Sequence, residues 1–121
     1  MELNDYQKRA MVTCMPTCDN FSYMALNLVA EVGEFVGKVA KQIRKENMEI
    51  QDNRLWFKFP ESDAAYACDG ELMGEAGDIL WQLAGLCAVM GWDLEDIARL
   101  NLKKLASRQE RGLIDGDGDN R

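Results

Sequence analysis

The chain has 121 residues, a mass of 13.7 kDa and a formal charge of −7, with 47% apolar and 29% charged residues. That length builds one domain around one core and is too short for two, and the composition is that of an ordinary folded protein rather than a disordered or fibrous one. The negative charge argues against a nucleic-acid partner, yet a phosphorylated small molecule stays admissible if divalent cations bridge it to an acidic site.

The apolar stretch from Ile79 to Met90 is broken by Gln82 and falls far short of the ~20 residues that span a bilayer, so no membrane helix is expected. Met1 to Asp5 is acidic, with no basic and then apolar run, which points to a cytoplasmic location. Cys14, Cys18, Cys68 and Cys87 are scattered, and reduced thiols are expected. With no second close pair and no histidine, a structural zinc site is disfavoured.

In chain order, Asn4 or Asp5 is expected to cap a first helix running to about Thr13, stopped by Pro16. A second helix, from about Ser22 to Arg44, sets Leu28, Val32, Phe35, Val36, Val39 and Ile43 along one stripe. Residues 45–63 keep no period and read as a loop or a short extra element containing Trp56, Phe57 and Phe59. A third helix begins between Asp63 and Glu71 and runs to Met90, with Leu72, Ala76, Ile79, Leu83, Leu86 and Met90 as its apolar row and Gly91 as its stop. A fourth starts at a capping box of Asp93 and Asp96 and ends at Gly112. Its inner side carries Leu94, Ile97, Ala98, Asn101, Leu102 and Leu105, and residues 113–121 form a flexible tail rich in Gly and Asp. Four helices and no convincing strand predict an all-α, four-helix bundle in a single domain.

Two acidic pairs lie in the longest helices, Glu31 with Glu34 and Glu75 with Asp78. Residues three apart on a helix are neighbours, so each pair sends its carboxylates the same way. Both pairs border the apolar stripes, where carboxylates lose solvation and repel one another unless a cation compensates. Hard oxygen ligands without histidine favour Mg²⁺, with Mn²⁺ as a substitute, and Mg²⁺ held by carboxylates suggests chemistry at phosphorus. Solvated surface acids are the plain alternative for either pair alone, and Glu71 reads equally as a further ligand or a surface acid.

The strings NLVAEVGEFVGKVAKQIRK and GELMGEAGDILWQLAGLCAVMGWDLEDIARLNLKKLASRQERG resemble the MazG-like all-α nucleoside triphosphate pyrophosphohydrolases. Glu31 and Glu34 match the second and third acids of that family's EExxE motif, Ala30 replaces the first, and Glu75 and Asp78 match its ExxD. The resemblance implies a Mg²⁺-dependent split of a nucleoside triphosphate into monophosphate and pyrophosphate, with these four acids as metal ligands. One carboxylate is expected to double as general base, Glu34 being chosen although nothing in the sequence separates it from Glu31. It also implies that Asn101, Lys104 and Arg108 contact substrate phosphates, and that the fold is completed by a homodimer or a dimer of dimers.

Asn101, Lys104, Arg108 and Arg111 do form one polar and basic edge of the fourth helix, which a solvated helix end would also show. Trp56, Phe57, Trp81 and Trp92 offer either a stacking surface for a base or core contacts, and Trp81 is expected at a subunit interface. Two rivals remain: a di-iron carboxylate bundle, which lacks its histidines here, and a non-catalytic acidic nucleotide-binding or regulatory module.

Overall fold

The Asn20 side chain accepts a hydrogen bond from the Tyr23 N–H at 2.8 Å and thereby starts the first of two long central helices. In the computed structural model, which describes residues 1–121, that helix is α2 (Phe21–Arg44). It follows α1 (Leu3–Met11) and leads through strands β1 (Met48–Gln51) and β2 (Arg54–Phe57) to α3 (Asp63–Val89) and α4 (Leu94–Glu110). Ser62 caps α3 through its hydroxyl, which accepts from the Ala65 N–H at 3.1 Å. Gly91, with φ +73°, ends it: the Gly91 and Trp92 N–H groups donate back to Ala88 and Cys87 carbonyls, a closure that needs a left-handed residue.

The expected absence of strands is corrected by the hairpin. Asp52 and Asn53 both adopt positive φ, 53° and 61°, the turn geometry whose twist matches paired antiparallel strands. Met48 then pairs with Phe57 and Gln51 with Arg54. The hairpin closes one half of the core, where Met48, Cys68 and Leu72 pack with Phe35, Val39 and Phe57. At the other half Ala84, Cys87 and Leu94 pack with Tyr6, Met11 and Ile97. Between the two, the thioether of fully buried Met24 lies against Gly85, and a methyl group added there would collide with it.

Several expected apolar stripes do not face this core. On α3 the buried positions are Ala65, Cys68, Leu72, Glu75, Gln82, Ala84, Gly85 and Cys87, while Ala76, Leu83 and Met90 point outward. On α2, Val32, Val36 and Ile43 are exposed although Phe35 and Val39 pack inward. Beyond Ala98 on α4, Leu102 and Leu105 are exposed.

Polar groups do much of the joining. The Asp93 and Asp96 capping box does not form, since Asp93 makes no side-chain cap. Instead α1 caps α4 from outside: Leu94 N–H donates to Gln7 Oε1 at 2.9 Å and Glu95 N–H to Asn4 Oδ1 at 3.1 Å. The same Gln7 amide donates to the Ala84 and Trp92 carbonyls, so one buried side chain ties α1 to both α3 and α4. Trp81, expected at a subunit contact, spends its indole N–H inside the chain on the Ala10 carbonyl and Thr13 hydroxyl.

Gln7→Leu keeps the volume and removes these bonds, leaving the Leu94 N–H buried without a partner. We expect a loss of about 1–3 kcal/mol of stability in urea unfolding. An unchanged midpoint and slope would contradict the role given to Gln7.

Candidate metal centre

Helix α2 presents Glu31, Glu34 and Lys38 at intervals of one turn, and α3 presents Glu71, Glu75 and Asp78 in the same way. The two helices pack along their lengths, and the acids meet at their interface. One carboxylate oxygen from each of Glu31, Glu34 and Glu75 lies within 4.8 Å of the others. Asp78 is outside this group of three, although its charge is felt at Glu31.

Glu75 is the least ordinary member, being only 7% exposed. Its Oε1 pairs with Lys38 Nζ at 2.9 Å, while its Oε2 is buried with no hydrogen-bond partner. A buried carboxylate oxygen left unpaired is costly, and an oxygen-binding cation is the partner that would satisfy it. The residues therefore fit a hard divalent ion: three carboxylates at short range, one of them with a buried oxygen that has no hydrogen-bond partner. Glu71 is exposed and pairs with Lys38 at 3.6 Å.

Electrostatics agree with the geometry. Burial, more than any other cause, raises the Glu31 carboxyl above its ordinary range, and the charge of Glu34 adds to the effect. A hydrogen bond from Asn27 opposes the rise, and Asp78 and Glu75 add smaller repulsions.

Three residues passed over in the sequence position these acids. Asn27 Nδ2 donates to Glu31 Oε1 at 3.0 Å and to Gln82 Oε1 at 2.9 Å. Gln82, 1% exposed, is held in turn by the Met24 carbonyl and sulfur. The signal for Gln82 was its interruption of an apolar run, and for Asn27 and Lys38 their one-turn spacing from Glu31 and Glu34.

The basic edge of α4 is occupied differently. Lys104 Nζ and Arg108 Nη2 both donate to Asp119 Oδ1, at 3.2 and 3.1 Å, and Arg108 also donates to the Gly118 and Asp119 carbonyls. Asp119 thus lies along α4, and the hydrogen bonds from Lys104 and Arg108 hold its carboxyl below the ordinary carboxylate range. Asn101 is exposed in a shallow groove with Ile97, Leu100 and Lys104. The ion pairs of Lys104 and Arg108 run to the tail and not to the acids of α2 and α3.

The sequence profile of the MazG nucleotide pyrophosphohydrolase domain matches residues 20–113, which takes in both acidic pairs and the basic edge of α4. The chain belongs to the MazG nucleotide pyrophosphohydrolase family. It is similar to the Gene 37 protein of Mycobacterium phage L5, at 36% identity over 108 residues, covering 86% of this chain and 82% of the phage protein. No solved structure matches it. No helix is long and apolar enough to cross a membrane.

Because Glu31 has a raised pKa in the fold, the folded chain holds more protons there than the unfolded chain just above the usual Glu range. The cost of its charge is then full above the folded pKa and relieved as pH falls through it. Metal-free protein should gain thermal stability through this group as pH falls through its raised folded pKa toward the ordinary Glu range, and Glu31→Gln should remove that part of the slope. Identical slopes in the two proteins, measured by thermal melts in chelator, would contradict the assignment.

Proposed function

We propose that the chain hydrolyses nucleoside triphosphates, ribo- or deoxyribo-, to the monophosphate and pyrophosphate, using Mg²⁺ or, in its place, Mn²⁺. The observation that carries this reading is the unpartnered, buried Oε2 of Glu75 beside Glu31 and Glu34. Family membership supplies the reaction class, and the all-oxygen donor set favours the hard ions.

Glu31, Glu34 and Glu75 would hold the ion, with Asp78 one turn beyond Glu75 as a fourth ligand. A bound divalent cation supplies Lewis-acid charge that polarises the phosphate and favours ionised water. Asn27 fixes the direction of Glu31, leaving Glu34, the most exposed of the three, to take the proton of the attacking water as general base. The water oxygen bonds to the α-phosphorus as the bond to the bridging oxygen of pyrophosphate breaks. Asn101, Lys104 and Arg108 would meet the phosphate oxygens that the cation leaves uncovered, Lys104 and Arg108 after exchanging Asp119 for the substrate.

We also propose that the working unit is a homodimer or a dimer of dimers in the cytoplasm, with nucleotide as its partner and neither nucleic acid nor membrane involved. Only 13 of the 121 residues are buried in one chain, too few for a free-standing domain of this length. The outward Val32, Val36, Leu80, Leu83, Leu100 and Leu102 are the apolar side chains that a second copy would cover.

In a panel of nucleoside triphosphates with Mg²⁺, read by pyrophosphate release, we expect turnover of at least one nucleotide. Glu34→Gln and Glu75→Gln should each lower it by about 10²-fold or more while the helical signal is kept. Nucleotide binding without pyrophosphate release would favour a binding module instead. By light scattering we expect a mass of at least twice the 13.7 kDa chain, and a strict monomer would contradict the assembly.

A further inference from the structure

Lys38 stands in the acid cluster as a cation already supplied by the chain. It lies one turn after Glu34 on α2, and its ammonium crosses to α3, where it meets Glu75 Oε1 at 2.9 Å and Glu71 Oε2 at 3.6 Å. Its side chain is 37% exposed, so the head group sits at the rim while its partner Glu75 is buried. An ordinary lysine ammonium is charged at neutral pH, and here it is held between two carboxylates.

The two oxygens of Glu75 are therefore divided. One faces Lys38, and the other is buried and unpartnered, on a residue whose carboxylate clusters with those of Glu31 and Glu34. The span of 4.8 Å among the three carboxylates is close to the ~4.2 Å between opposite oxygens around one Mg²⁺, which suits one ion shared by all three. A second divalent ion between Glu71 and Glu75 would need Glu71 Oε2 and Glu75 Oε1, the oxygens that Lys38 holds.

We propose that Lys38 is a positioning residue that takes the place of a second divalent cation, orienting Glu75 and limiting the chain to one metal ion when no nucleotide is bound. The proposal rests on the metal-centre reading above. Lys38 lowers the repulsion among Glu71, Glu75, Glu31 and Glu34 before any metal arrives, and it leaves the chain one ion site to fill. The remaining charge of a two-cation site would then come in with the nucleotide, as the cation of a metal–nucleotide complex.

The test is Mn²⁺ binding without nucleotide, followed by calorimetry and by the loss of the free-ion electron paramagnetic resonance signal, on the full chain. Wild type should bind one ion per chain. Lys38→Met, which keeps the stem and removes the charge, should bind two, the first about tenfold more tightly than in wild type. Lys38→Arg, which keeps the charge, should return to one. A Lys38→Met chain that folds only when Mn²⁺ is present also supports the proposal, because the missing cation is then restored from solution. The proposal is overturned if wild type already binds two ions, or if Lys38→Met folds without metal and binds one ion with unchanged affinity. Wild type binding no Mn²⁺ at all overturns the metal centre itself, which separates the two failures.

Discussion

Carboxylates from two helices are driven together at the α2–α3 interface, where burial weakens their hydration and proximity makes them repel. Such a cluster persists only if positive charge is returned to it. Lys38 returns part, at the exposed rim, and the unpartnered Oε2 of Glu75 marks where the rest is missing. The packing of α2 on α3 and the chemistry of the site are thus one problem: the helices approach closely enough to form a core, and that approach sets the spacing of the acids.

The surroundings serve the same end. Around the cluster the core is not a uniform apolar layer but two small apolar groups joined by buried amides. Gln82 sits where an apolar residue would have given more hydrophobic stabilisation, and through Asn27 it holds Glu31 in place. Gln7 does similar work at the far end by capping α4 from α1. Buried polar networks of this kind fix geometry when every member is satisfied, and here the orphaned atoms are confined to Glu75 and Arg108, the two places where a ligand's charge is expected.

The helices and their order were legible because their signals are local: apolar residues at helical spacing, Gly91 as a stop, and the acid pairs at one-turn spacing. The hairpin was not, because its turn is Asp52 with Asn53 and lacks the glycine that usually marks one. The apolar row of α3 was misjudged for a physical reason. Leu83 and Met90 follow the helical period as well as Cys68 and Cys87 do, and hydrophobicity alone does not say which face meets α2 and which is left outward. Likewise the capping of α4 by Gln7 is a contact between distant parts of the chain, invisible to any local motif. At the site, acid spacing identified Glu31, Glu34 and Glu75, whereas the sharing of Glu75 between Lys38 and an open position depends on the crossing of two helices.

The account is tested most directly by diffraction from crystals soaked in Mn²⁺ and measured at its absorption edge. It predicts an anomalous peak at about 2.0–2.3 Å from carboxylate oxygens of Glu31, Glu34 and Glu75, including the buried oxygen turned away from Lys38. Acids of α2 and α3 directed into separate regions of solvent, with no peak between them, would contradict it.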